Sequence, residues 1–219
     1  MKVSALLLAS ASVFIAQIAS ADLSMTGRST VVAMGMQGIG QEGVWLKDTQ
    51  IRRDLIDRGK AYSHLYNLKK HEITVIDHSQ RLAQVYAMSK LNQETDATVS
   101  SKDLKLELKP TGRSRALQKW NCVEHNLDAA MPAEVGGEKV SFTMTGNVWL
   151  ARDTAEQKEV AEFIQAAKNP NFFMGIPALA KSSPQQARGM SEMVRRMASM
   201  GLLCAVDVKT KYEGSGRMA

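Results

Sequence analysis

Between Gln50 and Met88 the chain passes through four strand-length segments in succession, QIRRDLI, AYSHLYNL, EITVID and LAQVYAM, with only short turn-forming stretches between them. A parallel pair would need a crossover of a dozen or more residues, usually a helix. No such length lies between these segments, so this part of the chain is confined to an antiparallel meander. The same punctuation continues on both sides. TGRSTVVAMGM and VWLKD come before, and LKLELK, KWNCVEHNL and KVSFTMTGNVWLA come after. LKLELK places Leu104, Leu106 and Leu108 on one face and Lys105, Glu107 and Lys109 on the other, the alternation of a half-buried strand. Pro110-Thr111-Gly112 reads as a turn, and the stretch around Pro132 and Gly136-Gly137 as a loop.

Two helices are expected late in the chain. Asp153-Thr154 can cap the first, with Thr154 and Gln157 in capping-box spacing, Val160, Phe163, Ile164 and Ala167 on one face, and Asn169-Pro170 as the stop. The second has Ser183 at the N-cap, Pro184 at the first helical position, Gln186 two residues on and Gly201 at its end. LLCAVDVKTKYEG then returns to strand. No repeat and no long linker divides the chain, so residues 22–219 are expected to form a single domain.

The N-terminus carries Lys2, an apolar run from Val3 to Ile18, and Ala19-Ser20-Ala21 in small-x-small order. That is the pattern of a secretory signal peptide over residues 1–21, cut near Ala21, and it implies a periplasmic or secreted protein. No second long apolar segment follows, so no membrane span is expected in the mature, soluble chain. The whole chain has a formal net charge of +6. Residues 51–120 hold 14 basic and 8 acidic side chains, against 4 and 8 in residues 121–180. Such a basic stretch is either a solvated strand face or a docking face for an acidic partner. With few aromatics and no binding module, an exported chain is not expected to bind nucleic acid. Two cysteines, Cys122 and Cys204, in an oxidising compartment point to one disulfide, with two separately buried thiols as the alternative.

GIGQEG, from Gly38 to Gly43, has the spacing of a dinucleotide fingerprint. That motif needs a helix after it, because the pyrophosphate rests on the helix N-terminus. VWLKD follows instead, so the glycines are read as a hairpin turn and no cofactor is expected. His64, His71 and His78 recur every seven residues, which in a meander puts them on different strands, and His125 stands alone. No metal site follows from them. Cys122 and His125 are three apart and point to opposite faces of a strand, so they make a poor nucleophile and base. With no nucleophile elbow either, no catalytic residues are expected.

Met190, Met193, Met197 and Met200 recur at helical spacing on the second helix. Such a stripe is either core or an apolar surface that adapts to variable ligands, since methionine is unbranched and flexible. Recruitment of Cu(I) by thioethers is disfavoured because no histidine lies near the stripe.

GVWLKDTQIRRDLI followed by EITVIDHSQRLAQVYAM resembles the core of the LolA-like lipoprotein-carrier superfamily. The matching positions are Gly43, Trp45, Arg52 or Arg53, Asp77 and Tyr86; WNCVEHNL, NVWLARD and MASMGLLCAVDV look closer to a secreted branch of it. The resemblance spans Leu23 to Tyr212. It implies an α+β fold: a strongly curved antiparallel sheet, an incomplete β-barrel, with the two late helices covering its concave face. It also implies a non-enzymatic protein that holds a lipid or lipoprotein acyl chain. On that reading Met190, Met193, Met197, Met200 and Phe163 belong to a lid, and Trp45, Tyr62 and Tyr86 line the sheet. The competing expectation is an envelope sensor or scaffold that acts through an envelope protein partner and holds no exchangeable ligand.

Overall fold

The computed structural model describes residues 23–33, 36–57, 59–89, 104–167 and 183–214. The expected signal peptide and the Asn169-Pro170 stop lie outside them. Six strands come first: β1 (Leu23–Ala33), β2 (Met36–Lys47), β3 (Gln50–Asp57), β4 (Lys60–Asn67), β5 (Glu72–Asp77) and β6 (Leu82–Ala87). Then follow β7 (Lys105–Leu117), β8 (Trp120–Val135), β9 (Glu138–Ala151), helices α1 (Ala155–Ala166) and α2 (Pro184–Met200), and β10 (Leu202–Glu213).

All neighbouring strands are antiparallel, but they form two sheets where one was expected. The first is the meander β1 to β6 in chain order; the second has the order β10-β9-β8-β7, and neither closes on itself. The division follows the side chains. β7 turns Leu106 and Leu108 towards a second core, made with Leu127, Met131, Phe142 and Leu150. The first core joins Leu46, Ile51, Tyr66 and Ile73 to Phe163 and Ile164 of α1. Helix α2 serves both, with Ala198 in the first core and Met193 and Met197 in the second.

Three turn assignments are corrected. Gly38 to Gly43 is not a hairpin connection but the middle of β2, paired with β1 from Val31↔Gly38 to Thr26↔Gly43. β3 pairs on the other side, from Gly40↔Asp57 to Gly43↔Asp54, so hydrogen bonds from both neighbours hold a run that local propensity would leave as a turn. The Trp45 indole supplies the missing side chain at Gly43: a Cβ there would lie 2.5 Å from the ring.

Pro110-Thr111-Gly112 is likewise inside a strand. Pro110 pairs with His125 and Ser114 with Val123, so β7 spends more residues than β8 over this step and bulges. Gly112 takes φ +81°, a left-handed conformation that glycine adopts without steric cost. The bulge aims Thr111 and Arg113 at Glu124, which both hydrogen-bond. Pro132 also lies within β8, opposite Ser141. β7 starts level with Ala130, so Pro132 sits where β8 has one neighbour among the described strands, a place that tolerates a residue without an N–H.

The helix starts use the residues expected, with altered partners. Thr154 Oγ1 accepts from the Gln157 backbone at 3.0 Å, while Gln157 Oε1 accepts from Asp153 N at 2.8 Å, one residue before the cap. Ser183 precedes Pro184, but its hydroxyl accepts from Glu134 N of β8 at 3.2 Å and so ties α2 to the second sheet.

Candidate functional site

In the meander the register aligns inward-facing side chains into three rows across the six strands. The deepest row is Leu23, Leu46, Ile51, Tyr66, Ile73 and Tyr86. Its first five members are all nearly inaccessible. The middle row is Met25, Val44, Arg53, His64, Val75 and Gln84, and the outermost is Gly27, Glu42, Leu55, Tyr62, Asp77 and Leu82. These rows border a cavity of about 1090 Å³. Met190, Val194, Met197 and Ala198 of α2 wall it from the other side, and Leu202 to Cys204 of β10 border it with Trp120.

The cavity is largely apolar, and an ion pair forms part of its lining. Arg53 grips Glu42 through Nε to Oε1 at 2.5 Å and Nη2 to Oε2 at 3.0 Å, a two-pronged, charge-assisted pair. Burial opposes the charge on Arg53, but the bonds to Glu42 outweigh it and its pKa is raised. His64 stands directly across from Arg53 and is 5 % exposed. Burial first, and then the Arg53 charge, lower its pKa to about 4, so the ring is neutral at pH 7. Its Nδ1 has no hydrogen-bond partner among the described residues. Tyr66, below this row, is held protonated by burial.

The expected ligand contacts divide. Met190, Met197, Tyr62 and Tyr86 line the cavity. Met193 does not: it is 3 % exposed within the second core, and Met200 packs against that core. The helix explains the split. At about 100° per residue, Met190 and Met197 lie within about 20° of each other, while Met193 and Met200 are rotated from Met190 by about 60–80°. Phe163 is buried in the first core and does not border the cavity. Trp45 is on the opposite face of its sheet, beneath the Arg52 guanidinium at 5.6 Å, because Val44 and Leu46 take the inward positions.

Glu42, Arg53 and His64 were not among the expected ligand contacts, although QIRRDLI carried a usable signal. Strand alternation puts Ile51, Arg53 and Leu55 on one face and Arg52, Asp54 and Ile56 on the other. Several cations of the basic stretch have separate settings. Arg53 enters the cavity, Arg52 pairs with Asp54 on the outer face, and Arg113 and Lys119 pair with Glu124 and Glu156.

Cys122 and Cys204 are bonded, and Cys204 borders the cavity. On the outer face of the first sheet, Ser63 Oγ lies 2.6 Å from Asp54 Oδ1 and 2.7 Å from His78 Nε2. The single hydroxyl hydrogen goes to the carboxylate, which leaves His78 as donor to Ser63. A nucleophilic serine needs the imidazole as acceptor, so this trio is wired to tie β3 and β4 to the turn after β5. Among the described residues no group of three or more His, Cys, Asp or Glu side chains converges to hold a metal ion, and no helix is long and apolar enough to cross a membrane. In comparisons with protein-family models, curated proteins and solved structures, nothing matches this chain.

Proposed function

We propose that this chain is an exported, non-enzymatic binding protein that holds a lipidic or apolar ligand between the β1–β6 sheet and helix α2. The observation that carries this reading is the cavity of about 1090 Å³, bordered by Met25, Val44, Leu55, Val75, Val194 and Met197 among others. Pockets that enclose small molecules run to about 300–1,000 Å³ and are mainly apolar, so the volume suits a ligand with one or more long chains. Each methylene moved out of water contributes about 0.8 kcal/mol before the cost of ordering the chain. In this reading the fold is an incomplete β-barrel of the LolA-like kind, its concave side carrying the three rows, with α2 as an adaptable lid through Met190 and Met197. A scaffold with no exchangeable ligand would be expected to fill this space with side chains.

Native mass spectrometry of the exported protein, followed by organic extraction, tests the proposal. A stoichiometric co-purifying acyl species is the expected result. A ligand-free mass that stays unchanged after incubation with detergent-solubilised envelope lipids would overturn it in favour of the scaffold.

A further inference from the structure

The charges inside the cavity bear on which ligand it accepts. Among the described residues, Glu42, Arg53 and Asp77 are the charged side chains lining it, one cation against two carboxylates. The guanidinium is already engaged by Glu42 through both prongs. Asp77 accepts from Ser79 N at 2.9 Å and Gln80 N at 3.0 Å, holding the β5–β6 turn. An entering carboxylate would therefore meet two carboxylates and a cation that already has a partner. His64 offers it no countercharge, because burial and Arg53 keep the ring neutral.

An uncharged polar group meets no such opposition. His64 borders the cavity as a neutral ring, so it adds no charge for a ligand to oppose. The ring sits in the middle row, with apolar Val44 and Val75 beyond Arg53 and beside it, so a chain lying across the sheet passes over it.

We propose that the Glu42–Arg53 pair and the second carboxylate, Asp77, select long-chain ligands whose polar group is uncharged, an alcohol or an ester, and discriminate against free fatty acids. This rests on the reading of the cavity as a ligand chamber, and the test separates the two.

Dodecane, 1-dodecanol and dodecanoate at pH 8 are titrated against the mature protein by displacement of a fluorescent apolar dye. Dodecanol is expected to bind at least about tenfold more tightly than dodecanoate. Glu42→Gln releases the Arg53 charge and should raise dodecanoate affinity about tenfold, with dodecane unchanged. Asp77→Asn, which removes the second carboxylate, should shift dodecanoate in the same direction, again with dodecane unchanged. Dodecane binding in each variant reports that the chamber is intact. If dodecanoate matches dodecanol in the parent protein while dodecane binds, the selection is wrong and the chamber stands. If none of the three binds, the chamber reading falls and this inference with it.

Discussion

Cys122 and Cys204 stand on strands that flank β9 on opposite sides, yet their Cα atoms are 6.5 Å apart. Strands two places apart in a regular sheet are separated by about 9.5 Å, too far for a disulfide. A bulge removes the obstacle. Leu203 pairs with Leu150 and Ala205 with Trp149, so Cys204 is the extra residue of β10, free of the ladder and turned towards β8. The bond closes a sequence separation of 82 residues that includes both helices.

Removing that bond should be costly. Replacing both cysteines by alanine is expected to lower the unfolding free energy by about 2–4 kcal/mol. Urea denaturation with and without reductant checks it: the parent should lose its advantage on reduction and the variant should not respond. Equal midpoints for parent and variant would contradict the assignment.

Trp45 should matter for the sheet and not for the ligand. Its ring lies over Gly43 on the outer face. Trp45→Ala is therefore expected to cost about 1 kcal/mol of stability and leave ligand retention intact. Tyr62→Ala, in a row bordering the cavity, should reduce retention instead. Loss of ligand from the Trp45 variant alone would mean that the indole, and not the Tyr62 ring, faces the ligand.

Stability should fall with acid through His64. Its folded pKa is lowered to about 4 from 6.5, so the unfolded chain takes up its proton first. The contribution is complete above pH 6.5 and is lost as pH falls towards 4, on the order of 2 kcal/mol once solvent in the open cavity is allowed for. Urea midpoints between pH 7.5 and pH 4.5 should decline less steeply in His64→Gln than in the parent. Parallel declines would show that other groups carry the acid sensitivity.

The methionines of α2 should separate by role. Met193→Ala empties a site in the second core and is expected to cost about 2–5 kcal/mol. Replacing Met190 and Met197 by leucine should change stability by less than about 1.5 kcal/mol, while slowing ligand exchange because a stiffer side chain adapts less well. Exchange rates from dye displacement, read beside thermal melts, distinguish the pairs. Slowed exchange in a Met193→Leu variant alone would assign the lid to the wrong face.

The elements themselves were open to sequence reading where a local rule decides them. Alternation in LKLELK, the capping residues Thr154 and Gln157, and the turns around Asp77 and Gly136-Gly137 each act over a few residues, so β7, α1 and the strand ends could be anticipated. The errors came where a distant partner outweighs local preference. Gly38 to Gly43 is strand because β1 and β3 pair with it on both sides. Pro110 to Gly112 is a bulge because β8 continues alongside.

The sequence by itself determined an antiparallel chain with two late helices, since period and capping are properties of neighbours along the chain. Tertiary structure alone decided the site. Register, which depends on how strands meet, put Arg53 across from His64 and turned Trp45 outward. Helix rotation left Met190 and Met197 bordering the cavity as well as the second core, while Met193 and Met200 meet that core and not the cavity. The bulge at Cys204, a mismatch between two strands and a feature of neither alone, brought the cysteines together.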